Sequence, residues 1–233
     1  PPRSTPKPSS AASDVYKRQS QIDFDKVIFK NAFADALDLD ICEAEIRNSR
    51  FDGSGNDGVD LMTTHATIIK SIFRNNGDKG ISVGENSHMI GVNNTIERNT
   101  VGIQSKDRST TVLFNQTLAN NVTALSAIKK NWRYGGGGEI FLAKSRILTD
   151  GTATVNDKHS FIYLFDSYLS SMRQPGLLHG VSVDDKSEFA ASASYSFPPT
   201  KIGSTYLNDA IQNIPRAIRA QINNSTRGII TND

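Results

Sequence analysis

A chain that repeats itself about every 22 residues in β-prone sequence has few ways to fold. Here a polar residue, a small polar residue, any residue and an apolar residue recur in that order. They do so at Lys30–Phe33, Asn48–Phe51, Lys70–Phe73, Asn93–Ile96, Asn115–Leu118, Lys144–Ile147 and Asp166–Leu169. The apolar members lie 18, 22, 23, 22, 29 and 22 residues apart. Such a period describes a solenoid in which each repeat is one turn of a coil.

A second alignment shows what each turn contains. Ala36–Asp40, Gly58–Met62, Gly80–Gly84, Gly102–Lys106 and Ala124–Ile128 follow one another in steps of 22. Their second and fourth positions are nearly all apolar and their third and fifth mostly polar, so each predicts a strand with one face turned inward. The leading position is always Gly or Ala, which suits a tight corner or close backbone stacking. Asn-rich corners follow at Asn75-Asn76-Gly77, Arg98-Asn99-Thr100 and Asn120-Asn121-Val122. Asn tolerates left-handed backbone angles and can bond to its counterpart one turn away. Asn31, Ser49, Ser71, Asn94, Gln116, Ser145 and Ser167 should form one such ladder, at the strand spacing of about 4.8 Å. Helical repeats usually run longer, and leucine-rich repeats demand regularly spaced Leu and a fixed Asn. The predicted fold is therefore all-β: a parallel β-helix of about 22 residues per turn and roughly seven to eight turns. Crossover chirality favours the right-handed form. The step of 29 marks an insertion at Asn131–Gly138, expected to project as a loop. Leu178–Val183 reads as a further first strand.

The ends read differently. Residues 1–19 begin Pro- and Lys-rich, continue through an Ala/Ser run, and resemble translated adapter sequence; they are expected not to pack. The coil should occupy 20–199, and 200–233 a C-terminal cap or tail. In that last stretch Leu207, Ala210, Ile211 and Ile214 have helical spacing, broken at Pro215, and Ile218 to Ile222 extend it. A cap there would cover the open end of the coil, whose strand edges otherwise invite aggregation. The chain does not start with Met, so an export signal and partner domains of a longer chain are expected upstream.

The formal charge of the 233 residues is +2. Arg3, Lys7, Lys17 and Arg18, against Asp14, account for the excess, and the remainder stands at about −1. That balance gives no reason to expect nucleic acid. No apolar run reaches the roughly 18 residues a membrane span needs. The lone Cys42 permits no internal disulfide and reads as a small core or turn residue.

With these residues in view, the chain resembles the right-handed parallel β-helix repeat proteins of bacteria, in the pectate-lyase-like superfamily. Gly55–Asp60 and Gly77–Glu85 look like modules of large secreted or surface proteins, some tied to polysaccharide gene clusters. The resemblance covers about Ile22 to Phe197 and implies contact with carbohydrate outside the cell. It carries over no catalytic residue. His179-Gly180 is similar to the His-Gly of pectin hydrolases, but their paired Asp and Arg-x-Lys are not evident here.

Chemistry has two candidate seats. On the outward face of the first strands, Asp38 and Asp60 share a column on adjacent turns, about 4.8 Å apart at the backbone. Carboxylates that close repel, so one should hold its proton to higher pH, as glycoside cleavage requires. Asp40 and Asp57 lie nearby, and Lys79 and Lys106 can serve as a base or meet a uronate carboxylate. Asp38, Asp60 and Lys79 are thus the catalytic candidates, with Asp40, Asp57 and Lys106 as substrate contacts. The bland reading is a solvated solenoid face. On the insertion, Trp132 and Tyr134 can stack on sugar rings or fold down over the coil. No cofactor is expected. Gly53–Asp60 resembles one calcium-binding nonapeptide but occurs once, where the true motif repeats every 9 residues. His65 and His88 lack the spacing of a metal pair.

The expected function is a secreted or cell-surface module that binds or presents polysaccharide without cleaving it. A polysaccharide lyase or glycosidase acting from the acidic patch is the alternative, and a structural spacer or fibre segment a third.

Overall fold

The computed structural model describes residues 15–171 and 180–190. Each of the first seven turns contributes one strand to each of three parallel sheets, and the eighth contributes described strands to the second and third. The first sheet stacks Val15–Arg18, Leu37–Asp40, Val59–Met62, Lys79–Gly84, Val101–Lys106, Thr123–Ile128 and Thr152–Asn156. The second stacks Gln21–Asp25, Glu43–Arg47, His65–Ile69, His88–Val92, Thr110–Phe114, Glu139–Ala143, Phe161–Phe165 and Val181–Val183. The third stacks Ile28–Lys30, Arg50–Asp52, Ile72–Arg74, Thr95–Glu97, Thr117–Ala119, Arg146–Thr149, Tyr168–Ser171 and Glu188–Phe189. The coil thus makes about eight turns of about 22 residues.

Register places like over like. Leu39, Leu61 and Val83 form one continuous inward file with no exposed surface, as the alternation demands. Phe29, Phe51 and Phe73 stack ring on ring, with centroids 5.0 and 4.7 Å apart. Each ring removes apolar area from water and meets its neighbour at van der Waals distance. The leading glycines are fitted closely: a Cβ on Gly80 would stand 2.7 Å from the Gly102 carbonyl oxygen.

The corners explain the sequence motif. Its first polar residue takes left-handed angles, as at Asn48, Lys70, Asn93, Asn115, Lys144 and Asp166. Its second turns inward and caps the turn before it. Ser71 Oγ accepts the Ser49 N–H at 3.1 Å, Asn94 Oδ1 that of Ser71 at 2.9 Å, Ser145 Oγ that of Gln116 at 2.9 Å, and Ser167 Oγ that of Ser145 at 3.2 Å. The Ser71 hydroxyl donates to the Ile69 carbonyl two residues back, and Ser145 and Ser167 repeat the pattern. A second ladder runs Ser54, Asn76, Asn99, Asn121 at the next corner, with N–H to Oδ1 distances of 3.0–3.1 Å. A third runs through Cys42, Thr64, Ser87 and Ser109.

The structure corrects four readings. Val15–Arg18, assigned above to a non-packing leader, form a strand; the 22-residue step back from Leu37 lands on Val15, and Tyr16 and Arg18 reach Asp40 at 3.1 and 3.0 Å. The first apolar marker is Phe29, not the exposed Phe33, because that corner carries Lys26-Val27 in place of the small polar residue. Asn31 accordingly stands outside the ladder, where Val27 N–H meets Ser49 Oγ at 3.1 Å. Val181–Val183 joins the second sheet rather than the first. The segment expected to cap the coil, 200–233, lies outside the described residues, as do 1–14 and His179.

One property of the second sheet was not anticipated. From the third strand on, its outward positions toward the strand ends are apolar as well as its inward ones, and Ile90, Val92, Val112 and Phe114 belong to a buried cluster separate from the core.

Replacing a ladder residue should leave a buried N–H unpaired. Asn99→Ala and Ser71→Ala are each expected to lower unfolding free energy by about 1–3 kcal/mol. The outward Thr117→Ala should stay within about 0.5 kcal/mol. Urea denaturation of the three variants checks this.

Candidate functional site

The outward face of the first sheet brings together the acids the sequence singled out. Asp38 and Asp60 are register partners on adjacent strands. Asp38 is pushed up to about 6, first by burial and then by the charges of Asp60, Asp35, Asp40 and Glu85. Among the described residues, neither Asp38 Oδ1 nor Asp60 Oδ1 finds a hydrogen-bond donor, and the nearest cation to Asp60 is Lys106 Nζ at 3.8 Å. Glu85 is also raised, by burial, with Lys106 opposing.

The remaining members of the patch are engaged in holding the coil. Asp57 is buried at a corner, where its Oδ1 accepts both the backbone N–H of Lys79 at 2.9 Å and its ammonium at 3.3 Å. Burial raises Asp57 to about 6 even though Lys79 opposes it. Lys79 Nζ also meets Asp78 at 2.5 Å. Burial works against its charge, but the Asp78 and Asp57 carboxylates outweigh it and raise the ammonium. An amine held between two carboxylates is a poor general base. Asp40 is buried between Tyr16 and Arg18. Lys106 is buried too, and its stem lies over Gly84, so close that a Cβ there would overlap it. Ser82, Gln104 and Ser126 continue the Asp38–Asp60 column and are themselves buried, with Gln104 Nε2 bonded to Ser126 Oγ at 3.2 Å. The face is therefore not the solvated surface of the bland reading. Asp38 and Asp60 are partly exposed as residues, and each keeps one buried carboxylate oxygen without a hydrogen bond among the described residues.

The insertion forms the other seat. It leaves the first sheet after Ile128 and re-enters the second at Glu139. Two carboxylates hold it. Asp107 Oδ1 accepts the N–H groups of Lys130 and Asn131, each at 2.7 Å, and Asp157 Oδ2 accepts that of Lys129 at 2.7 Å. Burial works against the charge of Asp157, but the Lys129 and His159 N–H groups and the Ser160 hydroxyl outweigh it and hold the carboxyl below its usual range. Trp132–Tyr134 make one 3₁₀ turn, capped by the Asn131 side chain and closed by Gly135 in left-handed conformation. The return leg packs tightly: Arg108 N–H donates to the Gly137 carbonyl at 2.8 Å, and a Cβ on Gly138 would overlap the Ser105 backbone.

This arrangement presents Trp132 with 79% of its surface exposed, so the indole does not fold down over the coil. Tyr134 is half-buried, and the Arg133 guanidinium lies 5.8 Å from the indole centroid. Beside the same loop is a cleft of about 220 Å³ lined by Arg108, Ser109, Gly136, Gly137, Glu139 and His159. Burial raises Glu139 above its usual range. Sequence reasoning found the aromatic residues but missed the cleft and the anchors Asp107 and Asp157. The only signal was an acid recurring just beyond the first strand.

His65 and His88, read from the sequence as lacking the spacing of a metal pair, are register partners with ring centroids 5.2 Å apart, edge to face. Their 23-residue separation is one turn of the coil. His88 is held below its usual range by burial and by His65. Among the described residues, no group of three or more His, Cys, Asp or Glu is placed to hold a metal ion. No helix of those residues is long and apolar enough to cross a membrane.

Three stacked parallel sheets joined by ladder corners define a β-solenoid. The family of the right-handed β-helix region matches residues 15–171, and the chain belongs to that family. No curated protein matches it. Among solved structures it is similar to HetL, a pentapeptide repeat protein involved in heterocyst differentiation regulation from the cyanobacterium Nostoc sp. strain PCC 7120. The identity is 9%, the alignment covers 81% of this chain and 90% of that one, and the TM-score is 0.23. It is also similar to QnrB1, a plasmid-mediated fluoroquinolone resistance protein, at 8% identity, with 73% and 92% covered and a TM-score of 0.16. Likeness of this order carries nothing about function.

The raised Asp38 gives a pH prediction. Its folded value stands above the unfolded carboxylate range, so its contribution to stability is full below about pH 4 and is lost as pH rises through about 6. Asp38→Asn should therefore raise the melting temperature at pH 7.5 and leave it nearly unchanged at pH 4. Thermal unfolding monitored by circular dichroism at both pH values checks the sign.

Proposed function

We propose that this chain is a carbohydrate-binding β-helix module that engages polysaccharide through the insertion loop and does not cleave it by itself. One observation carries the reading: an exposed Trp132 on a firmly anchored loop, next to a cleft lined by charged and hydroxyl groups. Sugar rings offer apolar C–H faces to an aromatic ring and hydroxyls to polar side chains. Anchoring by Asp107 and Asp157 keeps the loop in one conformation, which lowers the ordering cost of binding. The same reading takes the module to work outside the cell or on its surface, within a longer chain, as the family resemblance implies.

Affinity electrophoresis in gels containing uronate or neutral polysaccharides tests it. Retardation by at least one polysaccharide is expected, abolished in Trp132→Ala and kept in Asp38→Asn. Mobility unchanged by every polysaccharide, or retardation that survives Trp132→Ala, would contradict the reading.

A second reading rests on a separate observation, the raised Asp38 beside Asp60. A carboxyl that keeps its proton to higher pH than usual, beside a second carboxyl, is the kind of pair glycoside cleavage uses. On that reading, incubation with the same polysaccharides releases reducing ends or unsaturated sugars, and Asp60→Asn abolishes the release. Product formed equally by Asp60→Asn would remove Asp60 from any catalytic role. Lys79, tied to Asp57 and Asp78, is left out of this mechanism as a base.

A further inference from the structure

On five consecutive strands of the second sheet, from His65–Ile69 to Phe161–Phe165, the outward positions toward the strand ends are apolar, beside a polar column of His65, His88, Thr110 and Glu139 at the strand starts. Outward side chains of a single-layer sheet ordinarily meet water on one side. Here Ile90 and Val112 have no exposed surface, and Phe114 has 2%. The third sheet shows the contrast: its outward Ile28 and Ile72 are 70% and 38% exposed. None of the described strands crosses the apolar face, since each lies edge to edge in one of the three sheets.

We propose that the chain's own C-terminal segment, 191–233, seats on this face. Its sequence has the right chemistry and length. Leu207, Ile211, Ile214, Ile218 and Ile222 recur at helical spacing, with Asp209, Arg216 and Arg219 at positions off that stripe. As a helix, Leu207 to Ile222 would run about 22 Å, with Pro215 as a kink. The apolar face, five strands wide, measures about 19 Å across. The segment follows directly on the last turn, where Glu188–Phe189 pairs with Tyr168–Ser171. It would thus lie along the side of the solenoid, covering a face too apolar to leave in water, rather than plugging the open end.

Cross-linking in the full chain tests this. In a Cys42→Ala background, Ala143→Cys on the apolar face is paired in turn with Leu207→Cys, Ile211→Cys and Ile214→Cys. Each pair is oxidised at low protein concentration and mapped by mass spectrometry. An intrachain disulfide is expected for at least one pair, severalfold above the same tail positions paired with Thr117→Cys on the third sheet. In parallel, Ile211→Asp combined with Ile214→Asp should raise anilinonaphthalene sulfonate fluorescence severalfold while far-ultraviolet circular dichroism stays β-type. Equal cross-linking from both sheets overturns the proposal, as does no cross-link from Ala143→Cys. Disulfides found only between two chains would assign the face to a second copy instead, and an unchanged dye signal would show that these residues cover nothing.

Discussion

The hydrogen bond from the backbone N–H of one corner residue to the side-chain oxygen of its counterpart one turn on is what lets this chain coil. A solenoid must turn three times per repeat, and at each corner the sheet ladder is interrupted. A buried N–H without a partner there would cost about 1–3 kcal/mol, repeated at every corner of every turn. Ser, Thr and Asn at the inward corner position supply the acceptor, and the left-handed residue before each of them aims it. Sheet register, the stacked phenylalanines and the placement of every surface group follow from corners that repeat without slippage.

Exact stacking also brings like charges together. Asp38 over Asp60 is such a column, where burial first and the charge of Asp60 next raise Asp38. The coil relieves similar conflicts elsewhere by pairing the acid: Asp57 takes Lys79, Asp40 takes Arg18 and Tyr16, and Asp107 and Asp157 take the N–H groups of the insertion. The contrast separates acids that hold the coil from Asp38 and Asp60, which each keep an oxygen without a hydrogen bond among the described residues.

Much of the fold was legible because period-two alternation and the 22-residue step are local signals. The Leu39–Leu61–Val83 file and the Ser/Asn ladder followed from them directly. The first turn was misread at Phe33 because Val27 replaces the polar corner residue there, which hides the motif although the geometry persists. Trp132 was legible as a loop aromatic, but its exposure was not, since nothing local separates an indole in water from one lying on the coil. The cleft beside it joins Arg108, Glu139 and His159 from three successive turns, and no spacing announces a hollow.

By itself, the sequence determined the coil: its period, its inward files, its corners and the position of its one large insertion. Those are set by alternation and hydrogen-bond chemistry repeated within a few residues. Only the tertiary structure decided which charged groups stand free. Whether Lys79 is a base or a strut, whether Trp132 faces water, and whether the second sheet is bare or covered depend on neighbours a turn or more away. Pairing and burial across turns, not residue type, distinguish a functional group from a structural one.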